Sequence, residues 1–277
     1  MGESWDGASE RVDLEQLHEV GEMLPILRPF VRLIEYRENT QRLVDLATFG
    51  AEVVAVDLPR LARFVPGTDT PNFEAHAAAL DKMSRLAQTE IEGDFPMLRG
   101  HAVVGLWGAF EAFHDDLLTE WVLLRPAALL TSRLMRVSVV VGEYEALGER
   151  ERARYLLSRL RSELRSDMRP GVGQFVPLLN ELGIHGSMDD GCRRTILELQ
   201  QVRHVWTHNG GLVDAEFLSR CPWRGDLSLG DLLHVTHEDW SRFLHGLNAY
   251  STSVLHWLKE KQEVQDAKVG SISPSEP

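Results

Sequence analysis

The chain has 277 residues, 43% of them hydrophobic, which is enough apolar material for one large domain or two small ones and argues against wholesale disorder. Its formal net charge of −13 is at odds with simple binding along a nucleic-acid backbone, which calls for a basic face. The two cysteines, Cys192 and Cys221, are far apart and lack CxxC spacing, so neither a disulfide framework nor a zinc knuckle is suggested.

The acid is unevenly spread: residues 1–95 hold 9 basic and 18 acidic side chains, whereas residues 96–258 hold 17 and 20. The opening "MGESWDGASERVDLEQ" has neither the basic nor the apolar region of a secretion signal. The longest nearly apolar run, 102–110, is too short to cross a bilayer. The expectation is a cytoplasmic protein with reduced thiols and no membrane contact.

Helical periodicity dominates. Residues 13–35 read as one or two amphipathic helices interrupted near Pro25 and Pro29, and 39–56 as a further helix whose Val-rich end leaves a strand open. Residues 65–72, "VPGTDTPN", read as a loop and 73–92 as a helix. In 97–126, Val103, Trp107, Phe110, His114, Leu117 and Trp121 recur at steps of three and four, so they share a face, and Pro126 stops the run. A helix over 149–168 carries Arg150, Arg152, Arg154, Arg159, Arg161 and Arg165, which offer either an RNA track or a solvated face balanced by Glu149, Glu151, Glu163 and Asp167.

A short helix is expected over 173–184, with Gly183 near its end, and a longer one over 187–208, opened by a Ser/Asp cap and closed at Asn209-Gly210. Residues 230–240 mix a strand-like run with a cap; 236–261 form the last helix. The domain reading is an acidic N-terminal helical segment (1–94), a helical domain (95–262) and a disordered polar tail (263–277). "GVGQF", 171–175, lacks a preceding strand and so is a poor phosphate cradle. Trp223 offers a base-stacking ring or a plug that packs its loop onto the core.

The stretch "RHVWTHNGG", 203–211, holds the chemistry-bearing residues. On a helical wheel Ile196, Leu199, Val202 and Trp206 form an apolar face, with Arg203 about 40° from Leu199. A guanidinium there needs an internal acid, a subunit contact or a site. Glu111, in the most apolar helix, is the candidate acid. His208 lies about 140° from Arg203, so within one straight helix the two do not converge. A plainer role for His208 is a favourable charge at a helix C-terminus. His204 and His208, spaced i, i+4, also allow a zinc site if Asp214, His234 or His237 adds a ligand.

"ELQQVRHVWTHNGGLVDAEFL" resembles the signature of HEPN-domain proteins, an α-helical family that includes many RNases. Its motif is Arg, a polar residue, then His after four to six intervening positions; here these are Arg203, His204 and His208. His204 stands where Asn or Asp is commoner. The turn His208-Asn209-Gly210-Gly211 leads into Leu212-Val213-Asp214, and the helix around Glu111 and the segment before the last helix are also similar. The resemblance covers about 95–262.

It implies an all-α, HEPN-like up-and-down helical bundle with an additional N-terminal helical segment. It further implies a homodimeric endoribonuclease that needs no metal or cofactor, with sites composed across the two-fold axis. His208 would serve as general base or acid and Arg203 would stabilise the phosphoryl oxygens, with His204, Asn209 and Glu111 in support. RNA would be the substrate, and a toxin or phage-defence setting with an antitoxin or regulatory protein as partner would follow. The rival expectation is a non-catalytic HEPN-like dimerisation or partner-binding module, which the acidic N-terminal segment favours.

Overall fold

A computed structural model describes residue 19 and residues 21–62, 73–130 and 133–270. Among these the protein is all-α. Helix α1 is Arg28–Glu52, preceded by a 3-10 turn at Pro25–Leu27. It passes through a π-helical turn, Val53–Asp57, into α2 (Leu58–Ala62). Pro29 therefore does not interrupt a helix. It sits in the first turn of α1, where its missing N–H costs nothing, and the strand alternative for 39–56 is not taken. The loop expected at 65–72 lies outside the described residues. Helix α3 is Phe73–Glu92 and α4 is Pro96–Leu124.

Helices α5 (Val141–Glu145) and α6 (Glu149–Glu163) follow, then α7 (Val176–Glu181) and α8 (Asp190–His208). The order ends with α9 (Ala215–Arg220) and α10 (His237–Gly270). The strand-like run near 230 yields only an isolated antiparallel bridge, Leu212 to Leu232. Helix α10 continues to Gly270, into the stretch read as a disordered tail. Lys, Glu, Gln and Ala there are good helix formers. Residues 271–277 lie outside the described part.

Helix α4 is the central element. Val103, Leu106, Trp107, Phe110, Phe113, Leu117, Leu118 and Trp121 are all buried, as expected of a helix apolar on most sides. Helices α1, α6 and α8 pack against it. Phe30, Leu33 and Val44 of α1 belong to the same core cluster as α4, α8 and α10, so this part of the N-terminal segment shares the main core.

Helices α4 and α8 run in opposite directions. Gly100 lies against the Trp206 indole so closely that a Cβ would come within 2.2 Å of it. Farther along, Glu111 is linked through Gln174 to Gln200: Gln174 Nε2 donates to Glu111 (3.2 Å) and Gln200 Nε2 donates to Gln174 (2.7 Å). Helix α10 clamps the other side of α8, with Arg242 on Glu198 and the Cys192 thiol on the Gly246 carbonyl.

Candidate functional site

The end of α8 is built by its turn. Asp189 caps the start, accepting from the Cys192 N–H. At the far end the Asn209 and Gly211 N–H groups both return to the Val205 carbonyl, at 2.9 and 3.2 Å. The chain then turns through Gly210 and Gly211, with φ of +61° and +88°, a conformation a Cβ would strain. Asn209 Nδ2 donates to Asp214 Oδ2 at 2.6 Å, while Asp214 Oδ1 caps α9 by accepting from the Phe217 N–H at 2.7 Å. One carboxylate thus fixes both the turn after His208 and the helix that follows.

Ile196, Leu199, Val202 and Trp206 face the core as the wheel predicts. Arg203 is half-buried at the edge of that face, His204 is half-buried and His208 is exposed. All three border the open sector of α8. The His204 and His208 rings lie 4.7 Å apart, inclined at 51°. Arg203 has no hydrogen-bond or ion-pair partner among the described residues.

The expected Arg203–Glu111 pair is not formed. The register set by Gly100 and Trp206 places Arg203 opposite residues near 103, so Glu111 lies about two turns, roughly 10 Å, farther along α4. Glu111 instead anchors Gln174. Within one chain His204 and His208 lie side by side and Asn209 forms the turn after them, while Arg203 stands about 140° round α8 from His208 and Glu111 lies apart.

Most of the arginines of α6 are committed. Arg150 pairs with Glu120 and Arg161 with Asp115, while Arg154 meets Asp116 at 2.9 Å. Arg152 meets Glu145 at 2.9 Å, and Arg159 donates to the Tyr155 hydroxyl at 2.9 Å. The balancing acids sit mostly on α4, not on α6 itself. The RNA-track reading of α6 loses most of its free cations, and Glu149, Glu151, Glu163 and Asp167, expected to balance them, form no ion pair with them among the described residues.

Glu198, fully buried on α8, accepts from Trp223 Nε1 (2.6 Å), Arg224 (2.9 Å) and Arg242 (2.7 and 3.0 Å). Burial alone would raise its pKa, but the bonds from Arg242, Trp223 and Arg224 outweigh this and hold it below the usual glutamate value. Trp223 is therefore a plug rather than a free stacking platform, with Arg194 over its ring. Nothing in the sequence signals this network, because its members are separated by up to 44 positions.

"GVGQ" is a 3-10 turn, and Gly171 N–H is taken by Gln200. Burial pushes the thiols of Cys192 and Cys221 up to about 11 and about 12, so neither is an available nucleophile. Among the described residues no group of three or more His, Cys, Asp or Glu is placed to hold a metal ion. Asp214, one candidate third ligand, is spent on Asn209 and Phe217. Comparison with protein-family models, with curated proteins and with solved structures finds no match to this chain.

Proposed function

We propose that the protein is a metal-independent endoribonuclease of HEPN type, acting as a homodimer, with Arg203 of one protomer and His208 of its partner gripping one phosphodiester. The observation that carries this reading is Arg203 itself. It is a half-buried guanidinium without an acceptor among the described residues, at the edge of the apolar face of α8, on the helix that ends in an exposed imidazole and an Asn-Gly-Gly turn. A cation held there without a partner costs free energy unless something outside the chain pairs with it.

In the reaction His208 takes the proton of a ribose 2′-OH, whose oxygen attacks the adjacent phosphorus. The P–O5′ bond breaks, His208 passes the proton it has taken to the departing 5′ oxygen, and a 2′,3′-cyclic phosphate remains. Arg203 stabilises the charge that builds on the non-bridging oxygens. His204 positions the phosphate or orients His208, and Asn209 holds the turn. DNA, which lacks the 2′-OH, is inert. A toxin or phage-defence role in the cytoplasm, restrained by an antitoxin or regulatory protein, belongs to the same reading.

The test is cleavage of mixed RNA in a chelator. The wild type should cut, and Arg203→Ala or His208→Ala should lose on the order of 10²–10⁴-fold. Robust cleavage by both variants would exclude the chemistry.

A second reading, a non-catalytic dimerisation or partner-binding module, is favoured by the exposed Leu43, Leu46 and Phe49 on α1 and Met83 and Leu86 on α3. Expression in bacteria separates the two. The nuclease should slow growth in a way Arg203→Ala does not, whereas the scaffold leaves both cultures alike.

A further inference from the structure

We propose that His204 and His208 form a two-ligand chelate for a late first-row transition ion (zinc, nickel or cupric copper), and that an ion bound there takes His208 out of proton transfer. The second clause rests on the nuclease reading above; the chelate does not.

The spacing i, i+4 puts both imidazoles on one side of a helix, one turn apart. Their rings are 4.7 Å apart, and a modest side-chain rotation lets one nitrogen of each reach an ion at the usual 2.0–2.1 Å. Neither ring is hydrogen-bonded or ion-paired among the described residues. Four other histidines have a polar ring partner, His114 with Phe110 and Tyr250, His185 with Asn180, His245 with Ser241 and His256 with Glu260, and His101 packs on Trp206, so among the described residues His204 and His208 are the histidine pair whose rings lie side by side with their nitrogens unspent. The backbone beneath the pair is fixed by the turn that Asn209 and Asp214 hold.

Imidazole suits zinc, nickel and copper, whereas magnesium and calcium want oxygen ligands. The thiols are buried and protonated, and Asp214 is engaged, so one chain supplies two ligands and leaves the remaining positions to water. Such an ion exchanges with solvent instead of being built in. Coordination uses the same nitrogen lone pair that accepts the 2′-OH proton, so a bound ion and general-base action exclude each other.

The experiment is calorimetric titration of the full, untagged chain, stripped with a chelator and dialysed, with nickel chloride and with zinc chloride. The wild type should show saturable binding, weakened at least about tenfold in His204→Gln and in His208→Gln. His101→Gln and Arg203→Ala should bind as the wild type does. No binding by the wild type, or undiminished binding by His204→Gln, would overturn the chelate. RNA cleavage is read separately: zinc should suppress it and excess chelator restore it. A chain that binds the ion but never cuts RNA keeps the chelate and removes the nuclease; one that cuts but does not bind does the reverse. Cleavage insensitive to bound zinc overturns the inhibitory clause alone.

Discussion

The two halves of α8 treat charge in opposite ways. Near its middle, Glu198 is fully buried and meets two arginines and an indole. One turn farther on, Arg203 is half-buried and meets no acid, and the next turn carries an exposed His208. The same helix thus holds a closed electrostatic network and an open one. A saturated network ties elements together, here α8, α10 and the loop carrying Trp223 and Arg224. An unsaturated one is what a ligand, a substrate or a second copy can complete.

Stability separates the halves most sharply. Glu198→Ala leaves Arg224, Arg242 and the Trp223 N–H without their shared acceptor. It should cost about 3–5 kcal/mol in denaturant unfolding, whereas Arg203→Ala should change stability by less than about 1 kcal/mol. Equal losses in the two variants would break the contrast, and would mean that Arg203 is structural.

Acid should act first in the core, on α4, and only later on the closed network of α8. His114 is buried against Phe175, its Nδ1–H donating to the Phe110 carbonyl (2.8 Å) and its Nε2 accepting from the Tyr250 hydroxyl (2.6 Å). Burial pushes its pKa down to about 3, below the ordinary 6.5. The unfolded chain therefore binds a proton that the folded chain refuses, and stability present above about pH 6.5 is lost as the pH falls towards 3. By pH 5 the loss is roughly 2 kcal/mol. Glu198, held below its ordinary value, adds to the loss only in stronger acid. In His114→Gln the part of the slope between pH 6.5 and 5 should flatten, as followed by unfolding across that range.

The smallest effect is expected on α6. Arg154, exposed and paired with Asp116 at 2.9 Å, should cost no more than about 1 kcal/mol on conversion to Ala. It should leave RNA cleavage unchanged, because Arg154 is engaged by Asp116, a carboxylate it shares with Arg32. A large drop in cleavage would restore α6 as an RNA track.

Much of this was legible from residue order alone. The 3.6-residue period gave away α4 and α8, and the Asp189 cap and the glycines after Asn209 marked both ends of α8. What could not be read was which charges meet. The Gly100–Trp206 contact sets the register between α4 and α8, and that register, invisible in either helix alone, separates Arg203 from Glu111. The acids that neutralise α6 are on α4, outside the window in which i, i+4 spacing works. The length of α10 is not legible from polar composition, because Lys, Glu, Gln and Ala are common both to disordered tails and to helices.

The central claim is that Arg203 and His208 of opposite protomers share one scissile phosphate, and mixing inactive variants tests it most directly. Arg203→Ala and His208→Ala chains, allowed to exchange subunits in equal amounts, form mixed dimers in which one of the two composite sites is intact. The account predicts that cleavage returns to about a quarter of the wild-type rate, with 2′,3′-cyclic phosphate ends, from two proteins that are each inactive alone. Confirmed subunit exchange without any recovery of cleavage would contradict it.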